Sequence, residues 1–202
     1  MSNWKLYCII DSEVIRGNDP VKLADHLFRN GADIIQLRFK NLPSYVLVRL
    51  AKTIRRVAAF HKKTLVINDR IDVALASDAH GVHLGSGDFA QGSVLRLLKK
   101  KSLIGATVHF VREARNASSK PISYIGAGPV FATPLKRGLK QAGVEFVKRV
   151  KKVSRVPVFA IGGINKRNIR DVFESGADGI CVARSIFQIK AIKKELLRAG
   201  SQ

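Results

Sequence analysis

Gly31-Ala32-Asp33-Ile34-Ile35-Gln36-Leu37-Arg38-Phe39-Lys40 holds the plan of the whole chain. A glycine closes a helix in the left-handed conformation, and the backbone turns straight into an apolar run. The run ends in three polar side chains that alternate along it, so they share one direction. Gly176-Ala177-Asp178-Gly179-Ile180 is the same device, and Asp78-Ala79-His80-Gly81-Val82 resembles it. Such an internal echo marks a repeated helix-to-strand unit.

Working outward, short apolar runs at 6–10, 33–37, 64–67, 81–84, 103–106, 123–127, 156–160 and 179–182 alternate with longer helical patterns. They are rich in Ile and Val and almost continuously apolar, as strands covered on both faces must be. Between them, Val46, Leu47, Leu50, Ile54 and Val57 form one stripe of an amphipathic helix over 44–60. Strand–helix alternation implies parallel pairing through right-handed crossovers. The expectation is a single-domain (β/α)₈ TIM barrel spanning residues 1–202. A doubly wound open α/β sheet is the alternative.

Composition agrees with a globular enzyme-sized unit. Of 202 residues, 46% are hydrophobic and 25% charged, enough for a core without staples. Cys8 and Cys181 both lie inside strand-like runs, which predicts buried, reduced thiols. No apolar stretch is long enough to span a bilayer, and the apolar run at 6–10 is too short for a secretory signal. A cytoplasmic protein without a membrane partner is therefore expected. The net charge of +21 is the unusual property. Clustered cations would serve nucleic acid, but here they are scattered over every candidate helix and not interleaved with aromatics. The reading expects no nucleic-acid partner; a basic field draws in small anionic substrates instead. The oligomeric state is left open, with a homo-oligomer among the options.

In such a barrel the active site forms from the loops after the strands, so polar residues at strand C-termini are the candidates. Gln36, Arg38 and Lys40 suit a phosphate, or equally a solvated strand end. After the third and fourth runs stand Asn68-Asp69 and Gly85-Ser86-Gly87-Asp88. Two carboxylates on neighbouring loops suit Mg²⁺ beside a substrate phosphate. Taken alone, Asp69 would instead cap the helix that begins at Ile71, and Asp88 would be a polar loop residue. His83 reads as packing. Thr107 can donate to a phosphate or a ring nitrogen, and His109 opens the next helix. The loop after the sixth run is the longest, and it carries Thr133 and Lys136 as phosphate contacts or as part of a flexible basic segment. Ile161-Gly162-Gly163-Ile164 and Ala183-Arg184 follow the seventh and eighth runs, where barrels of this kind bind phosphate through backbone N–H groups.

With these segments in order, the chain resembles the thiamine phosphate synthase family over nearly its whole length. The resemblance rests on Gln36-Leu37-Arg38-Phe39-Lys40, Ile67-Asn68-Asp69-Arg70, Gly81-Val82-His83-Leu84-Gly85 with Asp88, Gly128-Pro129-Val130-Phe131 with Thr133 and Lys136, Ala160-Ile161-Gly162-Gly163-Ile164, and Gly176-Ala177-Asp178-Gly179. It implies a transferase in thiamine biosynthesis that couples an aminopyrimidine diphosphate to a thiazole phosphate. By that resemblance Gln36, Arg38, Lys40, Asn68, Thr107 and Lys136 hold the pyrimidine diphosphate. Asp69 and Asp88 bind Mg²⁺, while Thr133, Gly163 and the Ala183–Arg184 backbone hold the thiazole phosphate. Arg38, Lys40 and Lys136 neutralise the leaving group.

Four positions depart from the family pattern. Phe39 replaces an acidic or polar residue, Ser86 a Gln, Leu135 a hydroxyl residue and Arg184 a Ser. A related thiazole tautomerase is the nearest rival; Pro129, where that family has His, and the Asp69/Asp88 pair argue against it. A barrel that binds a phosphorylated ligand without catalysis is the other alternative.

Overall fold

Apolar runs flanked by helices cannot leave either sheet face to water, and closure removes the sheet edges as well. In the computed structural model, which describes residues 4–85, 98, 101–136, 138 and 140–199, eight parallel strands close into one barrel in sequence order. They are β1 (Leu6–Asp11), β2 (Ile34–Arg38), β3 (Thr64–Asn68), β4 (Gly81–Leu84), β5 (Leu103–Val108), β6 (Tyr124–Ala127), β7 (Val158–Ile161) and β8 (Gly179–Val182). The described helices are α1 (Ser12–Ile15), α2 (Pro20–Arg29), α3 (Ser44–Phe60), α4 (Ile71–Ala76), α5 (Val111–Ser118), α6 (Gly143–Val153), α7 (Ile169–Glu174) and α8 (Ile189–Ala199). The (β/α)₈ barrel expected from the alternation is the fold observed, and the open-sheet alternative falls.

Each apolar run is a strand, but several ends move. Beyond the predicted limits β1 runs on to Asp11, β2 to Arg38, β3 to Asn68 and β5 to Val108. The ladder passes through the polar residues because they face the barrel mouth rather than leave the sheet; Asp11 pairs in register with Arg38, and Asn68 with His83. The seventh strand starts at Val158, two residues later than expected. Pro157 has no N–H to give, and its carbonyl accepts from Ile125 instead.

Two apolar layers result. Cys8, Ile10, Ile35, Leu37, Leu65 and their neighbours face outward against the helices. Tyr7, Ile9, Ile34, Val66, Tyr124, Phe159 and Cys181 fill the barrel interior. Tyr7, Tyr124 and Phe159 meet edge to face, with ring centroids 5.6–5.7 Å apart. Both thiols are buried, as expected, and the two do not bond to each other; burial pushes the Cys8 thiol well above its usual range.

The internal echo is a closure device at the opposite end of the barrel from the mouth. Gly31 and Gly176 take positive φ after their helices. The carboxylate of Asp33 then accepts from Lys5 N, Leu6 N and Lys63 Nζ. Asp178 likewise accepts from Val158 N and Lys151 Nζ. The weaker copy does the same with other chemistry: Asp78 takes the positive φ, and His80 Nδ1 accepts from Leu65 N. In all three, a polar side chain satisfies the first N–H groups of a neighbouring strand.

Candidate functional site

The strand ends bring the candidate residues to two adjoining cavities at the mouth. One, of about 260 Å³, is lined by Asp11, Pro129, Thr133, Gly163, Ala183 and Arg184 among others. The second, of about 300 Å³, is lined by Gln36, Asn68, Asp69, Thr107 and His109, with His83 at its base. Ile9, Arg38 and Ile161 border both, so they form a shared wall.

Arg38 stands on that wall because its strand register puts it beside Asp11. Arg38 Nη1 donates to the Asp11 carboxylate at 2.5 Å, and the same carboxylate accepts from Glu13 N at 2.8 Å as the cap of α1. Asp11 is 2% exposed. A carboxylate this buried and anchored fixes the guanidinium while leaving the rest of its five-donor fork to the cavity.

Asp69 is not the cap of α4. The residue at that position is Arg70, which makes no side-chain cap bond. Asp69 instead takes φ 59° at the end of β3, and its carboxylate accepts from Gly85 N and from Asn68 Nδ2. It is held over the cavity with both oxygens oriented. Asp88 lies outside the described residues. Among the described residues no group of three His, Cys, Asp or Glu side chains forms a metal cluster.

Deeper in, Gln36 is buried and donates to Tyr7 Oη, so it belongs to the cavity floor rather than to a solvated strand end. His83 is packed, as read, but also hydrogen-bonded: Nε2 meets Thr107 Oγ1 at 2.8 Å and Nδ1 meets Tyr124 Oη at 3.2 Å. Burial pushes the phenols of Tyr7 and Tyr124 well above the usual range, so both stay protonated.

In the first cavity, Gly162 and Gly163 carry positive φ, and the loop from β6 is stitched to them. Val130 N donates to Ile161 O and Phe131 N to Gly162 O, while Asn165 and Asn168 side chains hold Gly163 O.

The chain matches the thiamine monophosphate synthase family over residues 6–186. It is 39% identical to a thiamine-phosphate synthase of Caldanaerobacter subterraneus over 97% of this chain and 93% of that one. It is 36% identical to one of Shouchella clausii, covering 98% and 97%. Its fold matches a thiamine phosphate pyrophosphorylase from Pyrococcus furiosus with a TM-score of 0.82 and 31% identity, over 98% and 97% of the two chains. This chain belongs to the thiamine monophosphate synthase family.

Seen as a member of that family, most expected site residues converge. Gln36, Asn68, Asp69 and Thr107 gather in one cavity, Thr133, Gly163, Ala183 and Arg184 in the other, and Arg38 between them. Lys40 is exposed past the end of β2 and borders neither cavity. The backbone of Lys136 forms a 3₁₀ turn with Pro134 and Leu135 beside the first cavity. Sequence reasoning missed Asp11, Tyr7 and Tyr124. A carboxylate directly at a barrel strand's C-terminus was the available signal for Asp11; nothing but strand parity pointed to the tyrosines.

Proposed function

We propose that this family member is a thiamine-phosphate synthase that binds its two substrates side by side, one in each cavity. The shared wall of Ile9, Arg38 and Ile161 carries the reading, because two ligands can meet only across a common border. The aminopyrimidine diphosphate occupies the cavity of Gln36, Asn68 and Thr107. The thiazole phosphate occupies that of Thr133, Gly163, Ala183 and Arg184, whose glycine lets a phosphate approach the backbone.

The bond between the pyrimidine methylene carbon and diphosphate breaks, and the electron pair leaves with the diphosphate. The electron-rich ring stabilises the cation, and the thiazole nitrogen closes the new C–N bond. Little is asked of a base. The protein orients two rings and neutralises the departing charge with Arg38 and Lys136; Lys40, which borders neither cavity, has no part in that role. The carboxylate of Asp69, oriented by Asn68 and Gly85 and free of a capping duty, fits Mg²⁺, which uses one or two carboxylates and completes its shell with water and phosphate. Asp69 with Asp88 would hold that ion, which when bound supplies further charge neutralisation at the diphosphate. The protein acts in the cytoplasm on small phosphorylated substrates.

The test is thiamine phosphate formation from purified protein, both substrates and Mg²⁺, read by fluorescence after oxidation. Asp69→Ala should cost stability about 1–2 kcal/mol, from the lost Gly85 N bond and the left-handed backbone at an exposed position. Its turnover should fall by about 100-fold. Full turnover in folded Asp69→Ala overturns the metal assignment; no product from the folded native protein overturns the reading itself.

A further inference from the structure

Beneath the pyrimidine-side cavity five side chains make one unbroken line across the barrel interior. Gln36 Nε2 donates to Tyr7 Oη at 2.5 Å, and Tyr7 Oη lies 3.0 Å from Tyr124 Oη. Tyr124 Oη lies 3.2 Å from His83 Nδ1, and His83 Nε2 lies 2.8 Å from Thr107 Oγ1. All five are buried, at 0–8% exposure. Both ends, Gln36 and Thr107, face the same cavity, while the two tyrosines do not border it.

We propose that this line is a directional hydrogen-bond relay, with Tyr7 and Tyr124 as positioning residues that fix which group of the cavity accepts and which donates. The proposal rests on the substrate reading above and deepens it. Each phenol has one proton and a neutral imidazole one, so a single starting choice sets every link. Gln36 gives its N–H to Tyr7, and the Tyr7 proton therefore points to Tyr124. Tyr124 donates to His83 Nδ1, which leaves the imidazole proton on Nε2. That proton goes to Thr107 Oγ1, and the Thr107 hydroxyl turns its own into the cavity. The Gln36 carbonyl is then presented as an acceptor and Thr107 as a donor. Such a pair selects a ring offering an exocyclic amino group and an acceptor atom, and rejects the oxo analogue. Reversing one end requires reversing all five members, since a half-turned line strands a buried polar atom.

A glycine supports the central link. A Cβ at Gly105 would stand 2.4 Å from Tyr124 Oη and 2.5 Å from His83 Nδ1. Glycine weakens a strand interior, so its presence at this inward position of β5 matches a need for Tyr124 and His83 to meet.

The test uses the native protein with Tyr124→Phe and Tyr7→Phe, which keep the rings and remove one hydroxyl each. Calorimetry without thiazole gives the affinities of the aminopyrimidine diphosphate and of its oxo analogue. Both variants should lose about tenfold of the native preference for the amino form, the scale of one oriented hydrogen bond. Nitrogen NMR of the ligand-free native protein at about pH 8 should show His83 protonated on Nε2, with that preference weakened in Tyr124→Phe. An Nδ1 proton in the native protein, or an unchanged preference in both folded variants, overturns the relay. The NMR readout needs no substrate, so it decides the relay even if the synthase reading fails.

Discussion

Replacing Gly163 by Ala tests whether the loop after β6 and the turn after β7 are one rigid unit. Gly163 has φ 66°, where an L side chain costs about 1–2 kcal/mol. The added Cβ would sit 2.6 Å from Ala132 O and 2.7 Å from Phe131 Cβ. Ordinary contact begins at 3.4 Å, so the loop must retreat by roughly 0.8 Å, the difference between 3.4 and 2.6. The Phe131 N to Gly162 O bond, now 3.0 Å, would then stretch to roughly 3.8 Å and fail, for about 1 kcal/mol. The sum is about 2–3 kcal/mol, on the order of 4–12 °C in Tm for a chain this long. Gly17→Ala is the control: it carries φ 82° with nothing within 4 Å of its Cβ, so only the backbone cost applies. The assay is thermal unfolding of both variants together with steady-state kinetics. Gly163→Ala should raise KM for thiazole phosphate more than for the pyrimidine, because the displaced loop carries Thr133. A Tm loss no larger than that of Gly17→Ala, or equal effects on both KM values, would refute the reasoning.

Two further outcomes follow from the closure devices. Lys62 closes α3 with φ 55°, in the place where Gly31 and Gly176 serve elsewhere, and it is exposed. Lys62→Gly should therefore stabilise the protein by about 0.5–1 kcal/mol, seen as a raised Tm; no gain would count against left-handed strain at that turn. Burial, aided by Arg55, holds the His80 imidazole below its ordinary 6.5. Between the folded and unfolded values the unfolded chain binds the extra proton, so stability is present above about pH 6.5 and is lost as pH falls toward the folded value. His80→Gln should flatten that part of the stability–pH curve in denaturant titrations, and an unchanged slope would remove His80 as the cause.

The barrel was legible because its strands are covered on both faces and therefore stay apolar throughout. What blurred was where they stop. Asp11, Arg38 and Asn68 look like loop residues in a sequence, yet they are ladder members whose side chains face the mouth. The third copy of the closure device was legible only as a likeness, since histidine replaces the aspartate and does the same work with a ring nitrogen. Asp69 shows the opposite case: its place before a helix predicts a cap, and only the backbone at φ 59° turns the carboxylate toward the cavity instead. The buried relay was the least legible part. Tyr7 and Tyr124 read as bulky strand residues, and whether an inward hydroxyl finds a partner depends on the register of strands distant in sequence.

That register also explains an acid in a site built for anions. Asp11 and Arg38 are direct partners on β1 and β2, so the ion pair is set by the first hydrogen-bonded ladder of the barrel. If the two cavities hold the two ligands as proposed, an unpaired arginine on their shared wall would swing toward whichever bound first. Tied through Nη1 to a buried carboxylate that is itself held by Glu13 N, it keeps one position for both. On the proposed synthase reading, its charge would already be in place when the carbon–oxygen bond breaks, with no reorganisation needed as the diphosphate leaves. The carboxylate reduces the net field that each ground-state ligand feels, while the fixed donors remain aimed at the cavity where charge develops. On the proposed reading, the acid therefore serves by holding the donors in place, at some cost in net field.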